Sequence, residues 1–514
     1  MNTSGILSST SSSTRCSSTA GDAAGRVDFR RARLSRDARF DGLFFIGVKT
    51  TGIFCRPICP AVPPLEANVE YFDHASQAFQ AGYRPCLRCR PDSAPGSCAW
   101  RGTDTTFTRA LKLIDAGALR STSLPALAER LGISDRYLRR LFQQRLGLSP
   151  KAYALFGQIL FAKKLLHETS LSVTDIAAAA GFNSLRRFND AFLRQLQLAP
   201  GDIRRKANPS PRLCLSLAYR PPLNWQAMLD FWRKRCVTGI EEVDDKAQSY
   251  GRSFEIYGQD RKNQNASQPT HHALGWFNVS PGADENTLEL RVEMDQPALL
   301  KPLVNRIRQL LDLDADTALI EQQLAECPGF KAVINPGLRI PGIWHPFEAG
   351  VRAILGQQVS VAAARTHLGR LVQGLGEPLV PGARDRLLFP SPAAIATSDL
   401  AMLKMPASRR DTLRNFARWF DEQGDQQPIE KALALKGIGP WTVDYIKMRG
   451  LGDTDIWLAG DLGIKKAVLA IDAGLNSEQL RPWRSYATFH LWSYLGDASA
   501  STTRTAPSTR TATS

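Results

Sequence analysis

Four cysteines in two tight pairs constrain this chain more than any other feature. They stand in Phe54-Cys55-Arg56-Pro57-Ile58-Cys59 and in Arg84-Pro85-Cys86-Leu87-Arg88-Cys89-Arg90. Two close thiol pairs separated by a foldable stretch suit a tetrahedral Zn²⁺ site with four sulfur ligands. On spacing alone, the site is a closed structural one that holds a small domain together. Arg56, Arg84, Arg88 and Arg90 add a second reading. Cationic neighbours favour thiolate and attract phosphate, so one ligand facing a nucleic-acid backbone can also be a nucleophile.

The balance of charge points the same way. The chain has 514 residues, with 65 Lys+Arg against 49 Asp+Glu and a net charge of +16. Excess positive charge fits a nucleic-acid partner without specifying one. The length allows several domains, and a hydrophobic content of 43% is that of a globular protein. No apolar run reaches a transmembrane length, and Met1 to Ala20 is Ser/Thr-rich with no apolar signal core. Beyond the two pairs, the other cysteines (Cys16, Cys98, Cys214, Cys236 and Cys327) are scattered, which suits a reducing cytoplasm better than a disulfide framework.

The middle of the chain carries a near-repeat. Leu124, Leu127, Ala128 and Leu131 share one helix face, Gly132-Ile133-Ser134 makes a turn, and a second helix carries Arg136, Tyr137, Arg139, Arg140 and Phe142. The pattern recurs at Val173, Ile176, Ala177 and Ala180, with turn Gly181-Phe182-Asn183 and then Arg186, Arg187, Phe188, Asn189 and Phe192. One such pattern describes many helical hairpins, and an ordinary bundle remains the bland reading. Two copies have helix-turn-helix spacing, with the second helix of each offering polar residues to a major groove. Residues 105–206 resemble the AraC-type DNA-binding domain. Arg136, Arg139, Arg186 and Arg187 are the candidate groove or phosphate contacts.

Around the cysteines, Thr50-Thr51-Gly52-Ile53-Phe54-Cys55-Arg56-Pro57 and Ala81-Gly82-Tyr83-Arg84-Pro85-Cys86-Leu87-Arg88-Cys89 resemble the methyl-phosphotriester sensor of the Ada family, over residues 37–93. The resemblance implies that Cys55 accepts a methyl group from a DNA methylphosphotriester, with Cys59, Cys86 and Cys89 as the remaining zinc ligands. Methylation would turn a thiolate into a neutral thioether, removing one negative charge that repels DNA. Full Ada proteins also carry a methyltransferase with a Pro-Cys-His-Arg motif. No cysteine here precedes a histidine, so no O6-methylguanine repair is expected.

The C-terminal half reads as an enzyme. Leu435-Lys436-Gly437-Ile438-Gly439-Pro440-Trp441-Thr442 is a helix-hairpin-helix signal, in which Gly437 and Gly439 let backbone approach a phosphate. Some 20 residues on stands Asp461, in Ala459-Gly460-Asp461-Leu462-Gly463. An aspartate there is either a helix N-cap or a catalytic carboxylate, and the two roles are compatible. Arg220-Pro221-Pro222-Leu223-Asn224-Trp225, Pro336-Gly337-Leu338-Arg339-Ile340-Pro341-Gly342, Phe347 to Ser360 and Trp483-Arg484-Ser485-Tyr486-Ala487 resemble the AlkA-type 3-methyladenine DNA glycosylases over 213–498.

That resemblance implies Asp461 as the catalytic carboxylate and Phe231, Trp441, Tyr445 and Trp492 as walls of a pocket for a flipped, electron-poor base. Core packing is the plain alternative for each aromatic. Trp441 occupies the hairpin position where strand-cleaving relatives place a lysine nucleophile, which implies a monofunctional glycosylase. Gln358 stands where the family has an apolar wedge, and Leu462 where an aromatic is usual.

The expected architecture is multidomain α+β. Residues 1–28 are disordered, 37–93 form a small four-cysteine α/β zinc domain, and 100–207 an all-α double helix-turn-helix domain. A break at Lys206-Ala207-Asn208-Pro209-Ser210-Pro211 leads to an α+β subdomain at 212–295, with a helix near 225–237, strand-like alternation from Leu288 to Met294 and a sheet like that of the TATA-binding protein. A mostly helical helix-hairpin-helix domain fills 296–498, and 499–514 is a disordered tail. The expected function joins base excision by Asp461 to a methylation-activated regulator using Cys55. The alternatives are a regulator whose glycosylase half only binds DNA and, below that, a purely structural zinc site. The expected partners are double-stranded DNA and RNA polymerase, with no membrane and a cytoplasmic location.

Overall fold

The computed structural model describes residues 29–36, 44–57, 59, 61–72, 77–78, 81–86, 103–206, 213–257, 272–383, 385–424, 427–471 and 475–504. The expected N-terminal segment 1–28, Cys89, the linker beyond Lys206 and residues 505–514 lie outside them. The chain divides into two compact units, Met1–Leu111 and Lys112–Ser514.

In the first unit, β1 (Phe45–Val48) pairs antiparallel with β2 (Ile53–Cys55) and with β3 (Val69–Phe72), and β2 pairs parallel with β4 (Arg84–Pro85). Period-two alternation sends Phe44, Ile46 and Val48 to one buried cluster and Phe45, with Phe54 and Ala78, to another. The β1–β2 turn needs Gly52, whose φ is +63°.

Helices α1 (Thr103–Asp115) and α2 (Ala118–Ser121) lead into the two helix-turn-helix units. The first is α3 (Leu124–Arg130) and α4 (Asp135–Leu146), linked by α5 (Pro150–Glu168) to α6 (Val173–Ala179) and α7 (Leu185–Leu196); α8 (Pro200–Lys206) follows. A serine caps each of α3 to α7, accepting an amide from the first turn: Ser123, Ser134, Ser149, Ser172 and Ser184. The turn glycines Gly132 and Gly181 have φ of +71° and +87°.

Next come β5 (Cys214–Ala218) and α9 (Trp225–Arg233). Helix α9 stops short of the 237 expected from sequence. The amide of Val237 is taken by the Glu241 carboxylate at 3.1 Å, so no helical carbonyl receives it. Strands β6 (Glu241–Asp244), β7 (Ser249–Tyr257), β8 (His272–Pro281) and β9 (Thr287–Met294) complete an antiparallel sheet of order β5-β9-β8-β7-β6.

The second helix-turn-helix unit and this sheet share one core. Ile159, Leu166, Ile176, Phe188 and Phe192 are buried in the same cluster as Leu215, Leu217, Tyr250, Phe277 and Leu290. Edge strand β5 is covered by α5: the Ser216 amide donates to Glu168 at 2.9 Å, and Lys164 donates to the Ser216 carbonyl. Backbone groups that would invite another strand are thereby satisfied.

The helical remainder comprises α10 (Leu300–Leu310), α11 (Thr317–Ala325), α12 (Pro346–Gly356), α13 (Val361–Leu375), α14 (Pro392–Thr397), α15 (Ala407–Trp419), α16 (Pro440–Tyr445), α17 (Leu462–Ile471) and α18 (Arg484–Arg504). It has two cores, one around Phe347, Phe416 and Ile446 and one around Phe330, Met448 and Phe489. Helix α18 runs to Arg504, into the stretch expected to be a disordered tail. Ala498 and Ala500 favour helix, and no proline interrupts it before Pro507. Among the described residues, no helix is long and apolar enough to cross a membrane.

Candidate active site and metal centre

Strand register builds the metal centre. Phe54 pairs with Pro85, so the next residues on the two strands, Cys55 and Cys86, emerge side by side. The Cys86 amide fixes this by donating to Phe54 O at 3.0 Å. A turn closed by Cys59 N to Arg56 O at 3.1 Å brings the third thiol back. The ligand atoms of Cys55, Cys59 and Cys86 all lie within 4.8 Å of one another. Sulfurs around tetrahedral zinc, with bonds of about 2.3 Å, sit about 3.8 Å apart, so soft thiolates at this spacing fit Zn²⁺. Cys59 is buried, while Cys55 and Cys86 are half-buried. Arg56 is buried beside Cys55, and Arg84 is exposed.

In the second unit, Asp461 caps α17, its Oδ1 accepting the Ile464 amide at 3.0 Å. The same carboxylate is held by two indoles. Trp492 Nε1 donates to Oδ1 at 3.1 Å, and Trp441 Nε1 approaches Oδ2 at 3.4 Å. Gly463 keeps room for this: a Cβ there would lie 3.0 Å from Asp461 Oδ1 and 3.4 Å from Trp492 Cδ1.

The other aromatics continue the wall. Trp441 stacks on Tyr445 with ring centroids 5.4 Å apart, and Tyr445 accepts from Arg449 at 2.8 Å. The Arg449 guanidinium lies 4.7 Å from the Phe231 ring centroid. Phe231 meets Phe489 at 5.5 Å, and Phe489 meets Trp492 at 5.1 Å. These contacts close a ring that starts and ends at Asp461. All four sequence-predicted aromatics are therefore together, half-buried at the rim of one core.

Sequence reasoning passed over Arg235, Arg449 and Phe489. The two arginines had a readable signal, since each lies four residues after one of these aromatics, Phe231 and Tyr445.

The hairpin is anchored to the loop after α12. Gly437 has φ of +89°, and a Cβ there would meet Thr412 Oγ1 at 2.3 Å. Gly439 caps α16 with open space around it. The first element of the hairpin is a 3₁₀ turn, Ile429–Ala434, where an α-helix is usual for this motif. Gln357 Nε2 donates to Gly437 O at 3.2 Å and to Thr442 Oγ1 at 3.1 Å. Its neighbour Gln358 is exposed at φ of +54°, projecting from the tied loop.

Arg136, Arg139, Arg186 and Arg187 are all exposed on α4 and α7, near the N-terminus of each. Arg139 also pairs with Asp135 at 3.4 Å.

Comparison with known proteins assigns these parts. Residues 28–92 match the metal binding domain of Ada, 127–206 a helix-turn-helix domain and 214–345 the AlkA N-terminal domain. The last match extends past the sheet through α10 and α11, and Leu300, Leu303 and Ile307 of α10 share the sheet's core. The probable bifunctional transcriptional activator/DNA repair enzyme AlkA of Mycobacterium tuberculosis (strain ATCC 25618 / H37Rv) is 36% identical over 493 residues, 90% of this chain and 95% of its own length. DNA-3-methyladenine glycosylase 2 of Escherichia coli (strain K12) is 31% identical over 291 residues, 54% of this chain and 96% of its own. The bifunctional transcriptional activator/DNA repair enzyme Ada of the same organism is 38% identical over 151 residues, 29% of this chain and 40% of its own.

Fold and matches together define a zinc- and DNA-binding regulator fused to a DNA-repair glycosylase half. The chain belongs to the family of bifunctional transcriptional activator/DNA repair enzymes of the AlkA type.

Proposed function

We propose that the C-terminal half is a monofunctional DNA glycosylase that releases 3-methyladenine and related alkylated purines. The observation that carries this is Asp461, capped onto α17 and bonded by two indoles inside an aromatic ring of contacts. An N3- or N7-alkylated purine is already cationic, so it leaves with the glycosidic electron pair as a neutral base. The Asp461 carboxylate stabilises the positive charge left on the sugar and takes a proton from the water whose oxygen bonds to C1′. Phe231, Trp441, Tyr445 and Trp492 stack on the extruded base. Trp441 offers no amine for Schiff-base chemistry, so the product is an abasic site on an unbroken strand. Gly437 and Gly439 hold a phosphate, and Gln358 enters the gap left by the base.

In the N-terminal domain, Cys55 Sγ attacks the methyl carbon of a methylphosphotriester. The S–CH₃ bond forms, the O–CH₃ bond breaks, and the phosphate oxygen keeps the electron pair as a diester. Cys55, Cys59, Cys86 and Cys89 would hold Zn²⁺, which would keep the Cys55 sulfur as a thiolate. The loss of one negative charge then favours promoter binding through Arg136, Arg139, Arg186 and Arg187, and recruitment of RNA polymerase in the cytoplasm. The domains are bounded at 37–93, 100–207, 212–295 and 296–498.

The test is base release from methylated duplex DNA by wild type and Asp461→Asn, beside methyl transfer to wild type and Cys55→Ala. Release of 3-methyladenine by wild type alone, and labelling lost with Cys55, are the expected results. A folded, zinc-loaded wild type that releases no base leaves a regulator whose second half only binds DNA. Label retained by Cys55→Ala moves the acceptor to another cysteine.

A further inference from the structure

Two arginines line the ring of contacts around Asp461, and among the described residues neither is paired with an acid. Arg449 is committed. It donates to Pro341 O at 2.8 and 2.6 Å, to Gly342 O at 3.3 Å and to the Tyr445 hydroxyl at 2.8 Å. Its charge is a fixed part of the wall.

Arg235 differs. Its guanidinium carbon lies 3.8 Å from the Phe231 ring centroid. Among the described residues, its side chain makes one hydrogen bond, Nη1 to Phe231 O at 3.3 Å. A guanidinium has five N–H donors in a planar fork, so most of this fork is uncommitted. Burial, followed by the neighbouring Arg449 charge, lowers its pKa to about 10, which leaves it cationic at neutral pH. A half-buried, uncompensated cation held over the Phe231 ring is costly as a purely structural element. It suits recognition of an acceptor.

We infer that Arg235 reads the extruded base, donating to a carbonyl oxygen or ring nitrogen and favouring neutral, carbonyl-bearing bases relative to cationic ones. The inference rests on the glycosylase reading above. Near the base, Arg235 and Arg449 bring two positive charges against the single negative charge of Asp461. A cationic alkylpurine meets like charge and gains little from the fork. A neutral purine with a 6-carbonyl meets donors and no repulsion. The cationic base keeps its intrinsic advantage as a leaving group, so Arg235 narrows the gap between the two classes and does not invert it.

The test is single-turnover excision from two duplexes, one holding 7-methyladenine (cationic, with no carbonyl) and one hypoxanthine (neutral, with a 6-carbonyl). Arg235→Gln is expected to slow hypoxanthine release by about tenfold and 7-methyladenine release by no more than about twofold. Arg235→Met, which keeps an unbranched stem on Phe231 without charge or donors, is expected to shift the ratio in the same direction. If either folded variant keeps the wild-type ratio, the inference is overturned while the glycosylase reading stands. If wild type releases neither base nor 3-methyladenine, the glycosylase reading itself fails and takes this role with it.

Discussion

Trp492 donates its indole N–H to Oδ1 of Asp461 across 3.1 Å, on the oxygen that also caps α17. One carboxylate thus joins the start of α17 to the middle of α18, and its orientation is set from two sides. Asparagine caps a helix about as well as aspartate, so Asp461→Asn is expected to fold with a melting midpoint close to wild type. On the proposed mechanism it loses the negative charge set against the sugar, and base release is expected to fall at least about 10²–10³-fold. Trp492→Phe keeps a ring against Phe489 and removes only the donor, so a drop of about tenfold is expected. Single-turnover release assays beside thermal melts check both; a large drop in midpoint for Asp461→Asn would show that the charge serves the fold instead.

The hairpin makes a backbone prediction. Gly437 combines a φ of +89° with a space already filled by Thr412. Gly437→Ala pays for both a left-handed backbone and a clash, and is expected to destabilise the chain by about 2 kcal/mol. The displaced Gly437 carbonyl would release Gln357 and with it the loop bearing Gln358. DNA affinity should therefore fall more than for Gly439→Ala, where a Cβ meets open space. Equal losses in a binding titration of the two variants would refute the link between hairpin and loop.

A buried ion network ties the sheet to the helical domain. Arg252 on β7 bonds Glu241 on β6 and Glu348 on α12, and Arg352 bonds both glutamates from the other side. Burial would raise the Glu348 carboxyl, but the two guanidiniums overcome it and hold the pKa down to about 2. Removing one partner strands the others: Glu348→Gln is expected to cost about 3–5 kcal/mol. Because the folded pKa is depressed, this stabilisation is present above pH of about 4.5 and is lost as pH falls towards 2. Urea titrations of wild type and variant at pH 7 and pH 3 check it, with the difference expected to shrink at the lower pH.

Much of this architecture was legible in the chain. Alternation gave β9, the two Gly-turn patterns gave both helix-turn-helix units, and Asp461 was readable as a helix cap. What stayed hidden depends on contacts between distant segments. The core joining Phe188 and Phe192 to Leu215 and Leu217 cannot be seen in either segment alone, because each already has its own plausible hydrophobic face. Helix α9 ended early for the same reason, since Glu241 competes for the Val237 amide. Arg235 and Arg449 went unread although each stands four residues after Phe231 or Tyr445, because only the fold shows their guanidiniums meeting those rings.

Two buried groups with opposed titrations give the last prediction. His490 is buried against Phe330 and accepts the Asn335 amide at Nδ1 across 3.2 Å, so that nitrogen carries no proton. Burial lowers its pKa to about 4. A histidine with a depressed folded pKa takes up its proton more readily when unfolded, so it costs stability as pH falls from about 6.5 to 4, by up to about 3 kcal/mol.

Asp312 is the reverse case. Burial raises its carboxyl to about 6, against opposing bonds from Tyr486 and the Ile340 amide. Its folded pKa exceeds the unfolded one near 3.9, so stability is lost as pH rises from about 4 to 6. The two slopes oppose each other between pH 4 and 6, and the wild-type melting midpoint is expected to change little from this pair. Asp312→Asn should expose the histidine slope, with a midpoint that drops more steeply on acidification than that of wild type. His490→Gln should flatten or invert it. Midpoints measured every half pH unit from 4.5 to 7 separate the three proteins, and parallel curves would mean that neither group titrates in the folded chain as its burial requires.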